Sequence, residues 1–339
     1  MKLLEIKTSQ PDVLQVNWCI NNLCTNSCSY CDPLSWNGTN HHYDWSHAEK
    51  FLKVLFQKYK KSSFYLTGGE PTISPFLLDT CKLIHENNGD ICIITNGVAS
   101  IRKYEELSKY VRGWAFSWHP EFQSLDNDWL EKVSYISTLS YVLVRIMAPA
   151  DNLEKVQAFV DQIKSMDRNF QYEIVKIQTR GNISFVPFTY KKEDESVLFQ
   201  PIERINVKNS DKYLTQRKHN LIFNKNAIAH DAFDYIFDVN DQQEIKNYFQ
   251  KDSIGANDLA QRGLDRYNGW ECSAGIESLF IDFDGSIKKA TCTIDGIIGH
   301  LQDTDNIEWP KVSVICPFKR CDCIGEIRIS KKMKDVNGK

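Results

Sequence analysis

The segment Val13-Leu14-Gln15-Val16-Asn17-Trp18-Cys19-Ile20 is an apolar strand-like run, and Cys24-Thr25-Asn26-Ser27-Cys28-Ser29-Tyr30-Cys31 follows it closely. Three thiolates at this spacing can hold a cube of iron and sulfide by three corners and leave the fourth iron without a protein ligand. Such an open iron can be chelated by a small molecule that carries an amine and a carboxylate. A zinc knuckle is the alternative, although structural zinc takes four ligands, and the nearest additional candidates are Cys19, His41 and His42.

Short apolar runs alternate with helix-like runs between about residue 12 and residue 190. The strand-like runs are Val13–Ile20, Ser63–Leu66, Ile91–Thr95, Gly113–Ser117, Tyr141–Met147 and Tyr172–Ile177. The helix-like runs, with apolar residues at three- and four-residue spacing, are Ser46–Tyr59, Pro75–Asn87, Ile101–Lys109, Asp128–Ser137 and Leu153–Ser165. Repeated strand–helix units predict an α/β fold with parallel strands and right-handed crossovers. Such a sheet is doubly wound or curls into a full or partial barrel, and either form gathers ligands at the carboxyl ends of its strands.

The composition is that of an ordinary globular protein, with 339 residues, 42% of them hydrophobic and 25% charged. Basic residues number 41 and acidic residues 44, a net charge of −3 that argues against binding to a nucleic-acid polymer. The sequence has no secretory signal and no stretch near the roughly 20 apolar residues of a membrane span. We therefore expect a cytoplasmic protein whose 11 cysteines serve metal binding or catalysis more than disulfides. Cys19, Cys81 and Cys92 fall inside strand or helix patterns and are expected in the core.

Two motifs resemble the signature of the radical S-adenosylmethionine (radical SAM) superfamily. They are Cys24-x3-Cys28-x2-Cys31, with the aromatic Tyr30 before its last cysteine, and Gly68-Gly69-Glu70-Pro71 after the second predicted strand. The resemblance implies a partial (β/α)6 TIM-like barrel with a small C-terminal cluster domain that contains a β-hairpin. It implies a 4Fe–4S cluster on the three cysteines and S-adenosyl-L-methionine (SAM) as cosubstrate. It also implies reductive cleavage of SAM to a 5′-deoxyadenosyl radical that abstracts a substrate hydrogen, with an electron donor such as flavodoxin or ferredoxin.

The same resemblance assigns polar residues and glycines at the strand ends to SAM binding. These residues are Tyr30, Gly68, Gly69, Glu70, Thr95, Asn96 and Ser117. Arg145 is added because a cation inside a buried parallel strand needs a partner, and the SAM carboxylate is a suitable one. Simpler explanations stay open, since the glycine segment and Thr95–Gly97 can be plain turns and Tyr30 can pack against the cysteine loop. Arg145 can instead form a buried ion pair with one of the chain's own acids. His119 is the catalytic candidate, turned toward the substrate pocket by the resemblance, but it can equally be a packed residue of the rim.

A second group of cysteines lies in the last fifth of the chain, and its members are Cys272, Cys292, Cys316, Cys321 and Cys323. A predicted hairpin of Ser278–Phe283 and Ser286–Lys289, with a type I′ turn at Asp284-Gly285, brings Cys272 and Cys292 together. The group is similar to the twitch domain, the short form of the SPASM extension of radical SAM enzymes, which implies one auxiliary 4Fe–4S cluster. Five candidates for four positions leave Cys321 or Cys323 open, and a four-thiolate zinc site fits the count equally well.

The chain is expected to have four parts. They are a radical SAM partial barrel at 1–190, a connecting or lid region at 191–265, a twitch-like cluster domain at 266–330 and a polar tail at 331–339. About a dozen residues precede the first predicted strand, so no N-terminal leader-binding domain is expected.

The substrate is the feature that the sequence determines least. The resemblance favours a net oxidation or a cross-link of a ribosomally made peptide, and radical modification of a sugar, alcohol or nucleotide is the alternative. A non-enzymatic iron–sulfur or zinc protein is the alternative of a different class, although an electron carrier needs neither Gly-Gly-Glu-Pro nor an unligated iron. Aromatic residues of the lid region can cover a peptide or belong to the core: Tyr213, Phe233, Tyr235 and Phe237.

Overall fold

The structure is a computed structural model of the whole chain. It describes residues 1–8, 10–38, 44–177, 189–198, 200, 227–230, 233–239, 241–249, 255–321 and 327–334. Four residues named above lie outside this range: His41, His42, Tyr213 and Cys323. Much of the predicted lid region and the last part of the predicted tail lie outside it as well.

The described secondary structure follows the chain in this order. The strands are β1 Leu3–Thr8, β2 Leu14–Cys19, β3 Ser62–Thr67, β4 Asp90–Thr95, β5 Gly113–Trp118, β6 Tyr141–Ala148, β7 Gln171–Lys176, β8 Ala227–His230, β9 Phe233–Phe237, β10 Glu271–Cys272, β11 Ser278–Ile281, β12 Ser286–Lys288, β13 Ile297–His300, β14 Val314–Ile315 and β15 Lys331–Lys332. The helices are α1 Trp45–Lys58, α2 Leu77–Glu86, α3 Ile101–Leu107, α4 Asn127–Ser137, α5 Leu153–Ser165, α6 Glu195–Leu198, α7 Gln242–Phe249 and α8 Ala256–Gln261.

The chain divides into two compact units. The first comprises Met1–Asn17, Ser46–Ser63 and Gln216–Lys339, and the second comprises Trp18–Trp45 and Phe64–Thr215. The division into four parts expected from the sequence stays a prediction. In the part of the chain that the structure describes, no helix is long and apolar enough to cross a membrane.

The second unit is built on parallel strands. It contains β4 to β7 and most of β3, and β4 to β7 pair in parallel register in the order β4-β5-β6-β7. β5 is buried along its whole length, as expected for a central strand of a sheet covered on both faces. The bounds of β2 to β7 and of α1 to α5 agree with the predicted runs to within two residues. The predicted α/β class and partial-barrel arrangement are therefore confirmed.

The positions of helices α2 to α5, which lie in this unit, follow from their apolar periodicity. In α5 the buried residues Val156, Phe159, Val160 and Ile163 recur at three- and four-residue spacing. α3 begins after Ser100, whose hydroxyl accepts the backbone N–H of Lys103 at 3.4 Å and so satisfies one N–H of the first turn. Among the cysteines expected in the core, Cys81 is buried, whereas Cys19 and Cys92 are half-buried.

The first unit contains an antiparallel sheet that the sequence does not predict. Six of the described strands form it, in the order β14-β10-β15-β1-β9-β8. β1 was missed because its burial is irregular, with a register shift between Leu3 and Glu5 against β9. Tyr235 and Phe237 of β9 are fully buried in the core of this unit, so the core alternative is correct for these two aromatics. β15 lies where the sequence predicts the polar tail to begin.

The predicted hairpin is present, but its turn is not type I′. β11 and β12 pair antiparallel. The Gly285 N–H donates to the Asp282 carbonyl at 3.0 Å, and Gly285 has a φ of 89°. A type I′ turn also needs a positive φ at Asp284, which is not among the described residues with one. The loop is a type I turn followed by a left-handed glycine, because the Asp284 carboxylate accepts the Ser286 N–H at 2.8 Å and holds the ordinary turn conformation.

Candidate functional site

The cysteine loop follows β2 and is held by the segment that follows β3. The Gly69 N–H donates to the Asn21 carbonyl at 2.9 Å, and the Glu70 N–H donates to the Leu23 carbonyl at 2.8 Å. In the opposite direction the Asn21 side-chain amide donates to the Glu70 carbonyl at 2.9 Å. The first residues of the loop are therefore fixed by backbone hydrogen bonds to the Gly68–Pro71 segment.

The two glycines of this segment are required by close backbone packing. A Cβ at Gly68 would lie 2.3 Å from the Asn21 carbonyl oxygen, and a Cβ at Gly69 would lie 2.1 Å from the Leu23 carbonyl oxygen. Gly68 also has a φ of 136°. Both glycines therefore let the backbone pack closely against the start of the cysteine loop. Contact of Gly68 and Gly69 with SAM stays a prediction.

The Glu70 carboxylate ties the ends of β3 and β4 together. Its side chain is 0% exposed. One oxygen accepts the Thr72 N–H at 3.0 Å, the Thr72 hydroxyl at 2.6 Å and the Thr95 hydroxyl at 2.7 Å. The other oxygen accepts the Asn96 N–H at 2.7 Å. These bonds satisfy a buried charge and orient the loop after β4, while the predicted SAM contacts of Glu70 and Thr95 stay untested.

Asn96 reaches from the end of β4 to the cysteine loop. Its side-chain amide lies 3.7 Å from Cys24 Sγ and 3.0 Å from Thr25 Oγ1. Its backbone carbonyl accepts a hydrogen bond from the indole N–H of Trp129 at 3.0 Å, which helps to hold Asn96 in position. Burial raises the pKa of Cys24, and hydrogen bonds from Asn26 and Asn96 act against that rise. The sequence-predicted residues Asn96 and Cys24 are thus brought together.

His119 lies against the cysteine loop. Its Nδ1 is 2.8 Å from the Tyr30 hydroxyl and 3.4 Å from Cys28 Sγ, and the two rings stack with centroids 6.0 Å apart. Burial and the nearby Arg145 cation together lower the pKa of His119 to about 4, so the imidazole that shares this hydrogen bond with Tyr30 is neutral. Burial also raises the pKa of Cys28 to about 12. This arrangement matches the packing alternatives for Tyr30 and His119; their roles toward adenine and substrate stay predictions.

Ser117, Arg145 and Glu173 stand opposite one another on β5, β6 and β7. Arg145 Nε lies 2.9 Å from Glu173 Oε1, and both side chains are partly buried. This is the ion pair with one of the chain's own acids that the sequence leaves open. The predicted contacts of Arg145 and of the buried Ser117 with SAM stay untested.

Sequence reasoning missed Glu121, which holds the middle of the cysteine loop. Its carboxylate accepts the Ser29 N–H at 2.8 Å and the Ser29 hydroxyl at 2.5 Å. No motif marks this residue, although it lies two positions after the candidate His119. The cysteine loop is therefore held from two sides, by Glu121 and by the Gly68–Pro71 segment.

The second cysteine group converges on one cavity of the first unit. Cys272, Cys292, Cys316 and Cys321 line about 400 Å³ of space, part of it open to solvent. Backbone hydrogen bonds fix two of them, since Cys316 donates to the Trp270 carbonyl and Cys321 to the Asp265 carbonyl, each at 2.8 Å. Burial raises the pKa of Cys316, and the nearby Lys331 ammonium opposes that rise.

Sequence reasoning also missed Lys331, which lines this cavity. The sequence did carry a signal for it. Ile327, Ile329 and Lys331 stand at alternate positions in the sequence, which is the period of a strand. All three are buried, so Lys331 follows the two isoleucines in this pattern.

Both donor sets fit iron–sulfur clusters by their chemistry. No described trio of His, Cys, Asp or Glu side chains is already arranged around a metal position. The argument therefore rests on donor type and number: three thiols in one short loop, and four thiols around one cavity. Thiolates are the ligands of 4Fe–4S clusters, and three of them leave one iron for an external ligand.

Comparisons with known proteins agree with this description. The profile of the radical SAM superfamily matches residues 18–178. No match was found among the curated proteins.

Solved structures give matches of low sequence identity. Native anSMEcpe with bound AdoMet and Cp18Cys peptide is 15% identical over 93% of this chain and 88% of that chain, with a TM-score of 0.52. A histidine-tagged anSMEcpe with bound AdoMet is 16% identical over 86% of this chain and 78% of that chain, with a TM-score of 0.51. Streptococcus suis SuiB bound to precursor peptide SuiA is 15% identical over 83% of this chain and 60% of that chain, with a TM-score of 0.51. The chain thus spans about three fifths of the SuiB length.

At these identities the solved structures support the fold alone. The superfamily match covers the cysteine loop and the Gly68–Pro71 segment as well as β3 to β7. Members of this superfamily are enzymes that bind a 4Fe–4S cluster and SAM. The resemblance expected from the sequence is thus confirmed for residues 18–178, which match the radical SAM superfamily.

Proposed function

We propose that this protein is a radical SAM enzyme that carries out a net oxidation or a cross-link of a peptide. The observation that carries the proposal is the presence of two separate sets of cysteines that differ in number and setting. One is a loop with Cys24, Cys28 and Cys31 after a parallel strand, and the other is a cavity lined by four cysteines. Radical chemistry needs the first, and an oxidation that removes a second electron is served by the second.

Cys24, Cys28 and Cys31 would hold the SAM-binding 4Fe–4S cluster, with SAM on the open iron. When bound, the cluster and SAM supply a 5′-deoxyadenosyl radical able to take hydrogen from an unactivated carbon. The protein residues keep the loop in place around them. Asn96 donates toward Cys24, and Glu121 holds the backbone of Ser29.

Water exclusion is the second task of these residues. His119 and Tyr30 cover Cys28, which is buried, and the His119 imidazole is neutral. Two uncharged aromatic rings beside the thiols help to keep water away from reactive species. We infer that the residues predicted to contact SAM, which include Tyr30 and Arg145, surround the bound SAM beside the cysteine loop.

Cys272, Cys292, Cys316 and Cys321 would hold an auxiliary 4Fe–4S cluster. With four thiolates no iron is left for a substrate, so a group bound there serves as an electron acceptor. We propose Cys321 as the fourth ligand because it lines the cavity with the other three. We propose the twitch-like domain of residues 266–330 on the same grounds.

A peptide substrate is favoured by the proteins that share the fold. The SuiB structure contains a precursor peptide, and an anSMEcpe structure contains the Cp18Cys peptide. We propose that a flavodoxin or ferredoxin is the electron donor. Modification of a small molecule is the alternative that the substrate assay distinguishes.

The test of the radical chemistry is anaerobic reconstitution with iron and sulfide, followed by reduction and addition of SAM. We expect about eight irons per chain, four for each cluster, and formation of 5′-deoxyadenosine. Cys24→Ala abolishes that product, whereas the matched variant Cys81→Ala retains it because Cys81 is buried within α2. Product formation by the Cys24→Ala variant, or stoichiometric zinc in place of iron, contradicts the proposal.

The substrate class is tested with peptides translated from short reading frames beside the gene. The expected result is a product that has lost two hydrogens, seen by mass spectrometry. Peptides deuterated at the reactive carbon should pass deuterium to 5′-deoxyadenosine. If only sugars, alcohols or nucleotides transfer deuterium, the small-molecule alternative is correct.

A further inference from the structure

The buried lysine of β15 is placed by strand pairing beside the second cysteine group. Lys331 stands opposite Cys272 of β10 in antiparallel register, and opposite Ile6 of β1 on its other side. Residues directly opposite on neighbouring strands project to the same face of a sheet. Lys331 and Cys272 therefore share the face that bounds the cysteine cavity, and both line it.

The ammonium group is enclosed together with the thiol. Lys331 is 4% exposed, and its Nζ lies 3.9 Å from Cys272 Sγ and 4.8 Å from the centroid of the Tyr267 ring. Lysine is rarely buried to this extent, because its charge loses hydration that the protein must replace. An aromatic face and a thiolate are both suitable partners for a buried cation.

The other base that lines the cavity has its charge balanced nearby. Arg320 donates to Asp265 Oδ2 through Nε at 3.1 Å and through an Nη at 2.9 Å, and Asp265 is 0% exposed. The Arg320–Asp265 pair is therefore close to neutral as a unit. Lys331 differs because its ammonium is directed at a thiol of the cavity.

We propose that Lys331 is a positioning residue that donates an N–H···S hydrogen bond to Cys272 and raises the reduction potential of the auxiliary cluster. This inference rests on the proposed function, in which four thiolates of this cavity hold that cluster. Four thiolates and the iron–sulfide core carry net negative charge, and reduction by one electron from an external reductant adds one more. A buried cation stabilises the reduced state more than the oxidised state, since the low dielectric of the cavity strengthens their interaction.

The test uses the full-length chain with Cys24, Cys28 and Cys31 replaced by Ala, so that the reduced-cluster EPR signal comes from the auxiliary site. In this background Lys331→Met should raise the ratio of oxidised to reduced cluster at a fixed potential about tenfold. For a one-electron couple this corresponds to a midpoint potential about 59 mV lower. Lys331→Arg, which keeps charge and donor, should stay near the parent. Lys332→Met is the matched control, because Lys332 is the exposed neighbour on the opposite face of β15 and loses the same charge.

Equal midpoints for Lys331→Met and Lys332→Met at full iron content overturn the inference and leave the proposed function intact. Absence of any iron–sulfur signal in the triple-alanine background overturns the auxiliary site and the inference together. A second measurement does not depend on the folding of Lys331→Met. In protein labelled with ¹⁵N-lysine, the reduced cluster should show a nitrogen coupling that Lys331→Arg removes, and lack of that coupling in the parent overturns the hydrogen bond.

Discussion

The backbone N–H of Asn96 donates to the carboxylate of Glu70 at 2.7 Å, and this bond joins the ends of two neighbouring parallel strands. Glu70 is fully buried, and its carboxylate also accepts hydrogen bonds from Thr72 and from the Thr95 hydroxyl. Asn96 in turn reaches Cys24. The Glu70 carboxylate is therefore one residue away from the Cys24 thiol and is connected to it through Asn96.

Glu70→Gln should lower the free energy of unfolding by about 2 to 4 kcal/mol. The new amide replaces an acceptor oxygen and brings an N–H group toward donors, so charge-assisted bonds are lost and one buried donor is unsatisfied. Urea denaturation of the apo protein measures the change. Glu86→Gln, on an exposed residue at the end of α2, is the control and should stay within about 0.5 kcal/mol. Equal midpoints for the two variants contradict the bonding described here.

Gly69→Ala should disturb the first cysteine loop specifically. The added Cβ would lie 2.1 Å from the Leu23 carbonyl oxygen, so the backbone that leads into Cys24 must move. A displacement of about 1 Å at a reacting centre costs roughly 100-fold in rate, and we expect that loss in 5′-deoxyadenosine formation with reduced iron content.

Gly263→Ala is the control for that experiment. Gly263 has a φ of 68° but no atom within 4 Å of an added Cβ, so the variant carries backbone strain without a clash. It should retain iron and product formation. Loss of both in Gly263→Ala as well would assign the Gly69→Ala effect to general destabilisation.

Tyr30 and His119 should be energetically coupled. Their hydroxyl–imidazole bond of 2.8 Å predicts a coupling of about 1 kcal/mol in a double-mutant cycle of Tyr30→Phe and His119→Phe, measured by urea denaturation. Tyr30→Phe combined with Tyr135→Phe should be additive, because Tyr135 is bonded to Glu105 and not to the loop. Additivity in the first cycle contradicts the pairing.

Arg145→Met and Glu173→Met each leave one partner of a partly buried ion pair without its counter-charge. Each should lower the free energy of unfolding by about 1 to 3 kcal/mol, and the double variant by less than the sum. SAM affinity, measured by equilibrium dialysis, separates two roles for Arg145. If Arg145 also binds the SAM carboxylate, Arg145→Met weakens SAM at least about tenfold while Glu173→Met does not, a difference of about 1.4 kcal/mol. If Arg145→Met and Glu173→Met change SAM affinity equally, Arg145 does not bind the SAM carboxylate and serves only in the ion pair.

Local sequence pattern determined the parallel part of the fold. Apolar runs and helical periodicity place β2 to β7 and α1 to α5 to within two residues, because buried strands and amphipathic helices carry period-specific signals. The cysteine spacing and the Gly68–Pro71 segment likewise identified the superfamily, which the match over residues 18–178 bears out. The hairpin was predicted, but the predicted type I′ turn was wrong, since the turn type depends on whether Asp284 bonds to Ser286.

Tertiary structure alone decided how side chains distant in sequence are used. Glu121 holds Ser29, and Arg145 meets Glu173, through contacts that no short-range pattern encodes. Lys331 appeared in the sequence as the first residue of a polar tail, and strand pairing made it a buried neighbour of Cys272. Sequence periodicity reports which face of an element is apolar, whereas the partner of a buried charge is set by register and by strands that meet across long separations.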